Sequence, residues 1–454
     1  MSIKLKTTLG ELSVESNNIW KAAGKPRFRP IWDKRQKSRM LYRKRIRERE
    51  TLAVSHYSNE LHECLLIKNG HTFWKCWRSK FENKPNKCMV VNGCVDNDII
   101  VENFASHFSK AYTSNNISRA AALCSEYEQM RKKYRGFPLS TSFDVELVSQ
   151  VLTRLQCGKA ADLDNLTAEH LKYSHPIMSS ILSKMFNLIL NTSEIPEAFG
   201  YSYTVPLCKL QGHYGKDVTT EDFRGIAISS VISKVFEHCV FDRFQDFLST
   251  NENQFGFKKG SGCSHAIATV RNVVDHYIGS GSTVNICSID LSKAFDKVNH
   301  HALFMKLMNR KIPNELLSLL EKWLSNCWTC VKWNTSFSRH IKIDIGVRQG
   351  SVLSPQLFAI YLNDVVNCLT IRQRYHIILY ADDILIIAPS LTELQRLVDN
   401  CQTELLALDM IINAKKSACM RVGPRYNVRC CSIVVGNQNL PWVDIVRYLG
   451  VFFR

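Results

Sequence analysis

The 454-residue sequence is short of acid: 41 Asp and Glu stand against 59 Lys and Arg, a net charge of +18. An excess of that size favours a polyanionic partner, either nucleic acid or an anionic membrane surface. No stretch reaches the ~18 consecutive apolar residues of a membrane span, which argues against a membrane-inserted helix. The opening MSIKLKTTLGELSVESNN has no apolar run of the kind a secretory signal needs. No internal repeat is evident, so a solenoid is not indicated. With 45% hydrophobic and 22% charged residues the chain is no disordered polymer, and its length points to two or three lobes. The expectation is an intracellular protein, cytoplasmic or nuclear, with no membrane partner.

Cysteine is plentiful at 17, but zinc-binding spacings are scarce. Cys157, Cys239, Cys287, Cys401 and Cys419 lie scattered in apolar segments, as small core residues do. Cys327 and Cys330 form the one CxxC, with no second pair and no His pair at finger spacing, so they fall short of a zinc signature. Reduced thiols fit best.

Proline and glycine are absent between Trp32 and Ile67. Lys21 to Arg49 carries thirteen Lys and Arg and two acids, Asp33 and Glu48, for a local charge of +11. Apolar residues are sparse there, which excludes the broad apolar face of an interfacial membrane helix. An exposed basic helix is predicted, suited to a phosphate backbone. Leu61 to Phe81 then gains an apolar face at helical spacing, read as packing rather than base stacking. Asn83 to Asp98 is rich in turn residues and predicts a short hairpin.

Downstream, Met178 to Leu190 predicts an amphipathic helix, Tyr203 to Leu207 a strand, and Ile228 to Phe247 a long helix. Thr283 to Asp290 alternates, with Val284, Ile286, Ser288 and Asp290 on one face and Cys287 and Ile289 on the other. That strand delivers a carboxylate at its end. Ile377 to Tyr380 and Ile384 to Ala388 are apolar runs separated by a turn that holds Asp382 and Asp383. Adjacent acids in such a setting are disfavoured as anions by burial and by each other. A divalent cation offsets both effects, and strand-borne carboxylates at one sheet edge suit Mg2+. A lone Asp-Asp would read as a turn cap; Asp290 as a third acid shifts the balance to metal.

At this point the residues resemble a known family. Tyr380-Ala381-Asp382-Asp383 is similar to the YADD signature of reverse transcriptases. SIDLSKAFDKVNHHAL (Ser288 to Leu303) resembles the block that supplies the first catalytic aspartate. GVRQGSVLSPQLFAIYLND (Gly346 to Asp364) resembles the template- and nucleotide-contacting block. FRGIAISSVISKVFEHCV (Phe223 to Val240) and QFGFKKGSGCSHAI (Gln254 to Ile267) resemble fingers blocks. NAKKSACM (Asn413 to Met420) and RYLGVFF (Arg447 to Phe453) resemble the two blocks that close the palm. AFDKVNHHAL and RQGSVLSP are similar to the enzymes of non-LTR, LINE-type retrotransposons rather than to group II intron enzymes or retroviral ones. LHECLLIKNGHTFWKCWRSKF resembles the segment ahead of the fingers in that group.

The resemblance implies an α+β right-hand polymerase fold of fingers and palm, the antiparallel palm sheet backed by helices, behind a basic helical N-terminal extension. Residues 1–142 would be the extension and 143–454 the reverse transcriptase domain, with fingers about 143–280 and palm about 281–454. It implies RNA-directed DNA synthesis with an RNA template, a DNA primer and deoxynucleoside triphosphates. Asp290 and Asp382 would hold two Mg2+ ions ~3.5–4 Å apart, with Mn2+ a possible substitute. Asp383 and the backbone carbonyl of Leu291 would complete the ligand set. Phe295 matches the aromatic that blocks a ribose 2′-hydroxyl. Lys209 and Arg224 match the cations that neutralise the triphosphate. Gln349 and Gly350 would lie against the nascent base pair, and Lys416 matches a lysine that protonates pyrophosphate.

Two departures stand out. GKAADLDNLTAEHLK (Gly158 to Lys172) resembles a block that usually reads GPDG at its centre, and here Asp162, Leu163 and Asn165 replace Gly, Pro and Gly. Asn165 tolerates a left-handed backbone, whereas Asp162 would fit badly if its φ must be positive. The chain also ends after the last palm block, with no thumb, and no endonuclease domain precedes the fingers; a truncated element is expected. The rival reading is a catalytically inactive nucleic-acid-binding remnant.

Overall fold

The stretch without proline or glycine forms one helix, α1 (Pro30–Leu66), with Met40 71% and Leu41 49% exposed. The computed structural model describes residues 14–19, 21–22, 30–66, 72–73, 77, 90–139, 142–209, 218–258, 260–367 and 376–454. Most of the aromatic face predicted for Leu61 to Phe81 lies outside the described residues, as do residues 83–89 of the predicted hairpin. Two compact units divide the chain, Met1–Cys88 and Met89–Arg454.

The larger unit opens with a tight reversal in which Val91 and Cys94 exchange backbone hydrogen bonds of 3.0 and 2.9 Å. Asn92 and Gly93 both take positive φ, 51° and 73°, as a two-residue hairpin turn requires. Helices α2 (Asn97–Ala111) and α3 (Ile117–Lys133) follow, capped by Asp96 and Asn116. Both belong to the larger unit. The physical reason is long-range contact: Leu123 of α3 joins the main core, and the backbone N–H groups of Asn115 and Asn116 donate to the buried Asp409 carboxylate at 3.1 and 2.8 Å.

Helices α4 (Val145–Arg154) and α5 (Ile177–Thr192) pack on each other ahead of a first sheet. Strand β1 (Tyr201–Cys208) pairs antiparallel with β2 (Phe223–Ser229). The expected helix from Ile228 starts late, because Ile226 and Ile228 are strand residues facing Val205 and Tyr203. Helix α6 (Val231–Arg243) begins only after Ser230 and stops before Phe244. Helix α7 (Cys263–Gly279) leads to β3 (Val284–Ile289), then α8 (His300–Asn309) and α9 (Asn314–Ser325). Strand β4 (Trp328–Trp333) returns to the first sheet, parallel to β1. A segment expected in the palm thus completes the sheet begun by a segment expected in the fingers.

Asp162 does not have a positive φ; Gly158 (77°) and Asn165 (60°) do. Asp162 is 4% exposed and accepts the N–H groups of Leu166 (2.8 Å), Asp164 (3.1 Å) and Val231 (2.9 Å). The expected misfit is therefore a cap that ties its loop to the first residue of α6.

The second sheet is wholly antiparallel. After α10 (Ser354–Asn367), strands β5 (His376–Tyr380) and β6 (Asp383–Ala388) form a hairpin, and with β7 (Ala418–Val422) they complete the order β5-β6-β3-β7. Helix α11 (Leu391–Ala407) lies between β6 and β7 in sequence. Alternation splits the strands as predicted. Cys287, Ile289, Ile384 and Ile386 enter the main core, while Val284, Ile286, Leu385 and Ile387 join a second core with Val270 of α7. Helices therefore back both faces of the sheet. Strands β8 (Val446–Tyr448) and β9 (Val451–Phe453) make a closing hairpin. Among the described residues no helix is long and apolar enough to cross a membrane.

Candidate active site

Register brings the acids together. Ile289 pairs with Ile384, so Asp290 and Asp383, one residue further out, emerge at the same end of β3 and β6. Tyr380 pairs with Asp383 across a turn formed by Ala381 and Asp382, with Ala381 at φ 57°. The backbone of Asp290 is fixed on both sides: its N–H donates to Ser417 Oγ at 3.1 Å and its carbonyl accepts from Asn413 N–H at 2.8 Å. Leu291 is buried and bridges to Ile412.

The carboxylates act on one another. Burial pushes Asp383 up to about 6, and the charges of Asp382 and Asp290 push the same way. Asp382 is raised by burial and by Asp290, while its own backbone N–H, Arg224 and Lys416 pull it down. Lys416 Nζ stands 4.0 Å from Asp290 Oδ2. Lys209 is lowered, first by partial burial and then by the charges of Lys416 and Arg224. The three acids and three cations predicted from the sequence thus lie close enough to act on one another electrostatically. Among the described residues no three His, Cys, Asp or Glu side chains already converge as a metal cage. The donor set still suits a hard divalent cation: carboxylate oxygens at one sheet end, where burial and mutual repulsion disfavour ionisation of Asp382 and Asp383 and a cation's charge would offset both.

The structure gives each of the remaining predicted residues its own surroundings. Arg224 is exposed on β2 opposite Leu207 of β1, and Lys209 Nζ, just past that strand, donates to the Glu221 carbonyl at 2.8 Å. Phe295 stacks on Phe358 with ring centroids 4.4 Å apart, and Phe257 meets it at 6.1 Å and 87°. Two loops are stitched beneath it: Val347 N–H donates to Phe295 O at 2.9 Å and Gly346 N–H to Val298 O at 2.8 Å. Gln349 O accepts from Ala227 N–H at 2.7 Å. Gly350, at φ 128°, passes so near β2 that a Cβ would stand 2.2 Å from the Ala227 carbonyl oxygen. Its lack of a side chain is required within the protein, whatever lies on the open side.

Cys327 and Cys330 are both buried, and Cys327 Sγ donates to Trp323 O at 3.2 Å, so the CxxC is part of the core. Two residues at the site carried no assigned role in the sequence. Asp296 is pushed up to about 6 by burial, against the pull of Lys293, a hydrogen bond from Gln349 Nε2 at 3.4 Å, and Lys297 and Lys209. Gln254 is fully buried beside the Ala381 turn. A signal existed for both, a polar residue inside an apolar block (AFDKV, QFGF), but nothing in one sequence says what it touches.

Comparison with known proteins bears on this arrangement. A family model described as reverse transcriptase (RNA-dependent DNA polymerase) matches residues 214–453. The chain is 24% identical over 350 residues to a protein described as a probable RNA-directed DNA polymerase from transposon BS of Drosophila melanogaster, covering 71% of this chain and 37% of that one. It is 23% identical over 437 residues to the RNA-directed DNA polymerase from mobile element jockey of Drosophila funebris, covering 87% and 47%. With the retrovirus-related Pol polyprotein from type-2 retrotransposable element R2DM of Drosophila melanogaster it shares 24% identity over 319 residues, covering 66% and 29%. The chain therefore spans between 29% and 47% of the length of these relatives. A solved apo telomerase chain from Candida tropicalis overlays with a TM-score of 0.37 and 14% identity, covering 54% of this chain and 56% of that one; so low a score carries no argument.

Proposed function

The chain belongs to the reverse transcriptase (RNA-dependent DNA polymerase) family, on its non-LTR retrotransposon branch, and on that premise we propose that it adds deoxynucleotides to a primer 3′-hydroxyl on an RNA template. The observation that supports the reading is that strand register brings Asp290 to the same sheet end as the Asp382-Asp383 turn, within electrostatic reach of Arg224 and Lys416, which in turn act on Lys209. Asp290 and Asp382 are the residues that would hold a pair of Mg2+ ions, with Asp383 and the Leu291 carbonyl beside them and Mn2+ as a substitute. What such ions supply when bound is a more acidic primer hydroxyl and neutralisation of charge on the triphosphate.

The chain's own residues do the rest. Lys209 and Arg224 receive the triphosphate, and their crowding with Lys416 is relieved by that anion. Lys416, exposed beside Asp290, delivers a proton to departing pyrophosphate. Phe295, backed by Phe358, occupies the space a ribose 2′-hydroxyl would need. Gln349 and Gly350 form a thin wall against which the new base pair rests. The exposed basic helix α1 follows a phosphate backbone.

Primer extension on matched RNA and DNA templates, comparing wild type with Asp382→Ala/Asp383→Ala, tests the proposal. Incorporation on RNA that vanishes in the double variant is expected. Tight primer–template binding with no incorporation would instead establish the nucleic-acid-binding remnant and sink the catalytic reading.

A further inference from the structure

The turn between β5 and β6 needs an external hold. Ala381 lies in the left-handed region at φ 57°, which an L side chain disfavours, yet it stands directly before Asp382. The segment ahead of α7 supplies that hold. Phe255 N–H donates to Leu379 O at 2.8 Å and Leu379 N–H to Asn253 O at 2.9 Å, so this segment runs along β5 as a short parallel partner. At its centre the Gln254 side chain is fully buried. Its Oε1 accepts the N–H of Ala381 at 3.1 Å and the N–H of Gly256 at 2.9 Å, and its Nε2 faces the Ala381 carbonyl at 3.5 Å. Two backbone donors on one oxygen fix which way the amide points. Gly256 then closes on the same peptide: a Cβ there would stand 2.4 Å from Ala381 N. The segment is itself anchored, with Asn251 N–H donating to Asn363 Oδ1 of α10 at 2.7 Å and Lys258 Nζ to Asn251 O at 2.7 Å.

We infer that Gln254 is a positioning residue: its buried carboxamide holds the Ala381 peptide left-handed and thereby sets where Asp382 and Asp383 present their carboxylates. A neutral amide suits the task, since it grips backbone without pairing with the carboxylates it orients. The inference rests on the polymerase reading only for its consequence in synthesis; the clamp is a property of the turn and is testable without substrate.

Three variants of the full chain decide it. Gln254→Met keeps the volume and removes the hydrogen bonds, Gly256→Ala keeps the carboxamide but forces a Cβ against Ala381 N and Gln254 Oε1, and Gln254→Met/Ala381→Gly removes the clamp but frees the turn from its steric cost. Hydrogen exchange without metal should speed up in residues 380–383 for both single variants and leave β3 unchanged. Titration with Mn2+, followed by loss of the free-ion electron paramagnetic resonance signal, should show affinity weakened roughly 10–100-fold, the scale of lost outer-shell support. In primer extension kcat should fall while KM for nucleotide holds, and Ala381→Gly should restore part of each loss. Turn exchange in Gln254→Met equal to wild type, or losses that Ala381→Gly leaves untouched, would overturn the clamp. Absence of incorporation by wild type beside normal exchange effects would count against the polymerase reading alone.

Discussion

Replacing Asp296 by Asn should make the protein progressively more stable than wild type as pH rises from acid to neutral. The Asp296 carboxyl is moved from an ordinary 3.8 to about 6, chiefly by burial, despite Lys293, Gln349, Lys297 and Lys209. Because the folded value lies above the unfolded one, the unfolded chain ionises first. Stability is therefore unaffected well below pH 4, declines between about 4 and 6, and stays lowered above that. The full difference corresponds to roughly 3 kcal/mol, of which about 2 arises between pH 4.5 and 7.5. Asp296 retains some contact with solvent, so about 1–2 kcal/mol is the realistic gain of Asp296→Asn over that interval. At about 2.1 cal/mol/K per residue, the roughly 370 residues of the larger unit unfold with an entropy near 0.8 kcal/mol/K. The Tm difference between variant and wild type should accordingly widen by about 1–3 °C from pH 4.5 to 7.5. Differential scanning calorimetry at matched scan rates reads this directly. A difference that stays constant with pH, or narrows, would mean that the neighbouring lysines outweigh burial and that the carboxylate is not a stability cost.

Phe295→Val should lower the preference for deoxy- over ribonucleotides by roughly tenfold or more, with Phe257→Ala acting less strongly in the same direction; kcat/KM for matched dNTP and rNTP pairs reads it, and an unchanged ratio refutes the gate. Lys209→Ala and Arg224→Ala should each raise the KM for nucleoside triphosphate roughly tenfold, the scale of one lost charged hydrogen bond, and kcat should change less. A change confined to kcat would place these cations elsewhere in the reaction. Asp162→Gly, the residue the resembling block would carry, should destabilise by about 2–4 kcal/mol because three backbone donors lose their acceptor. Denaturant unfolding checks it, and a gain in stability would mean that Asp162 is not the cap its contacts describe.

Much of the site was legible because strands carry their own geometry. Alternation from Val284 to Ile289 fixed which side chains entered which core, and an apolar run broken by Asp382 and Asp383 could only be a hairpin. Helix α1 was legible for a different reason, the absence of any residue that would interrupt it. The failures share a cause. Ile228 read as the start of a helix because nothing local shows that β1 waits beside it. That α2 and α3 belong to the larger unit was not legible, because they join it through long-range partners such as Asp409, nearly 300 residues away. Asp162 looked like a defect because its third donor, Val231, is remote in sequence.

The same distinction explains why the supports of the site escaped notice while its charged groups did not. A residue that works on a ligand must be of a reactive type, and acids at a strand end or cations in a basic chain announce themselves. A residue that works on the backbone need only be the right shape in the right place, as Gln254 and Gly256 are against Ala381. Such supports cannot be charged partners of the acids they place. An ion pair tight enough to orient Asp382 or Asp290 would compete with whatever those carboxylates are meant to hold, and here Lys416 stops 4.0 Å from Asp290. Asp382 and Asp383 are left raised and under-compensated, and their positions are fixed instead through peptide groups. Holding the chain rather than the charge keeps the carboxylate oxygens free without letting the turn relax.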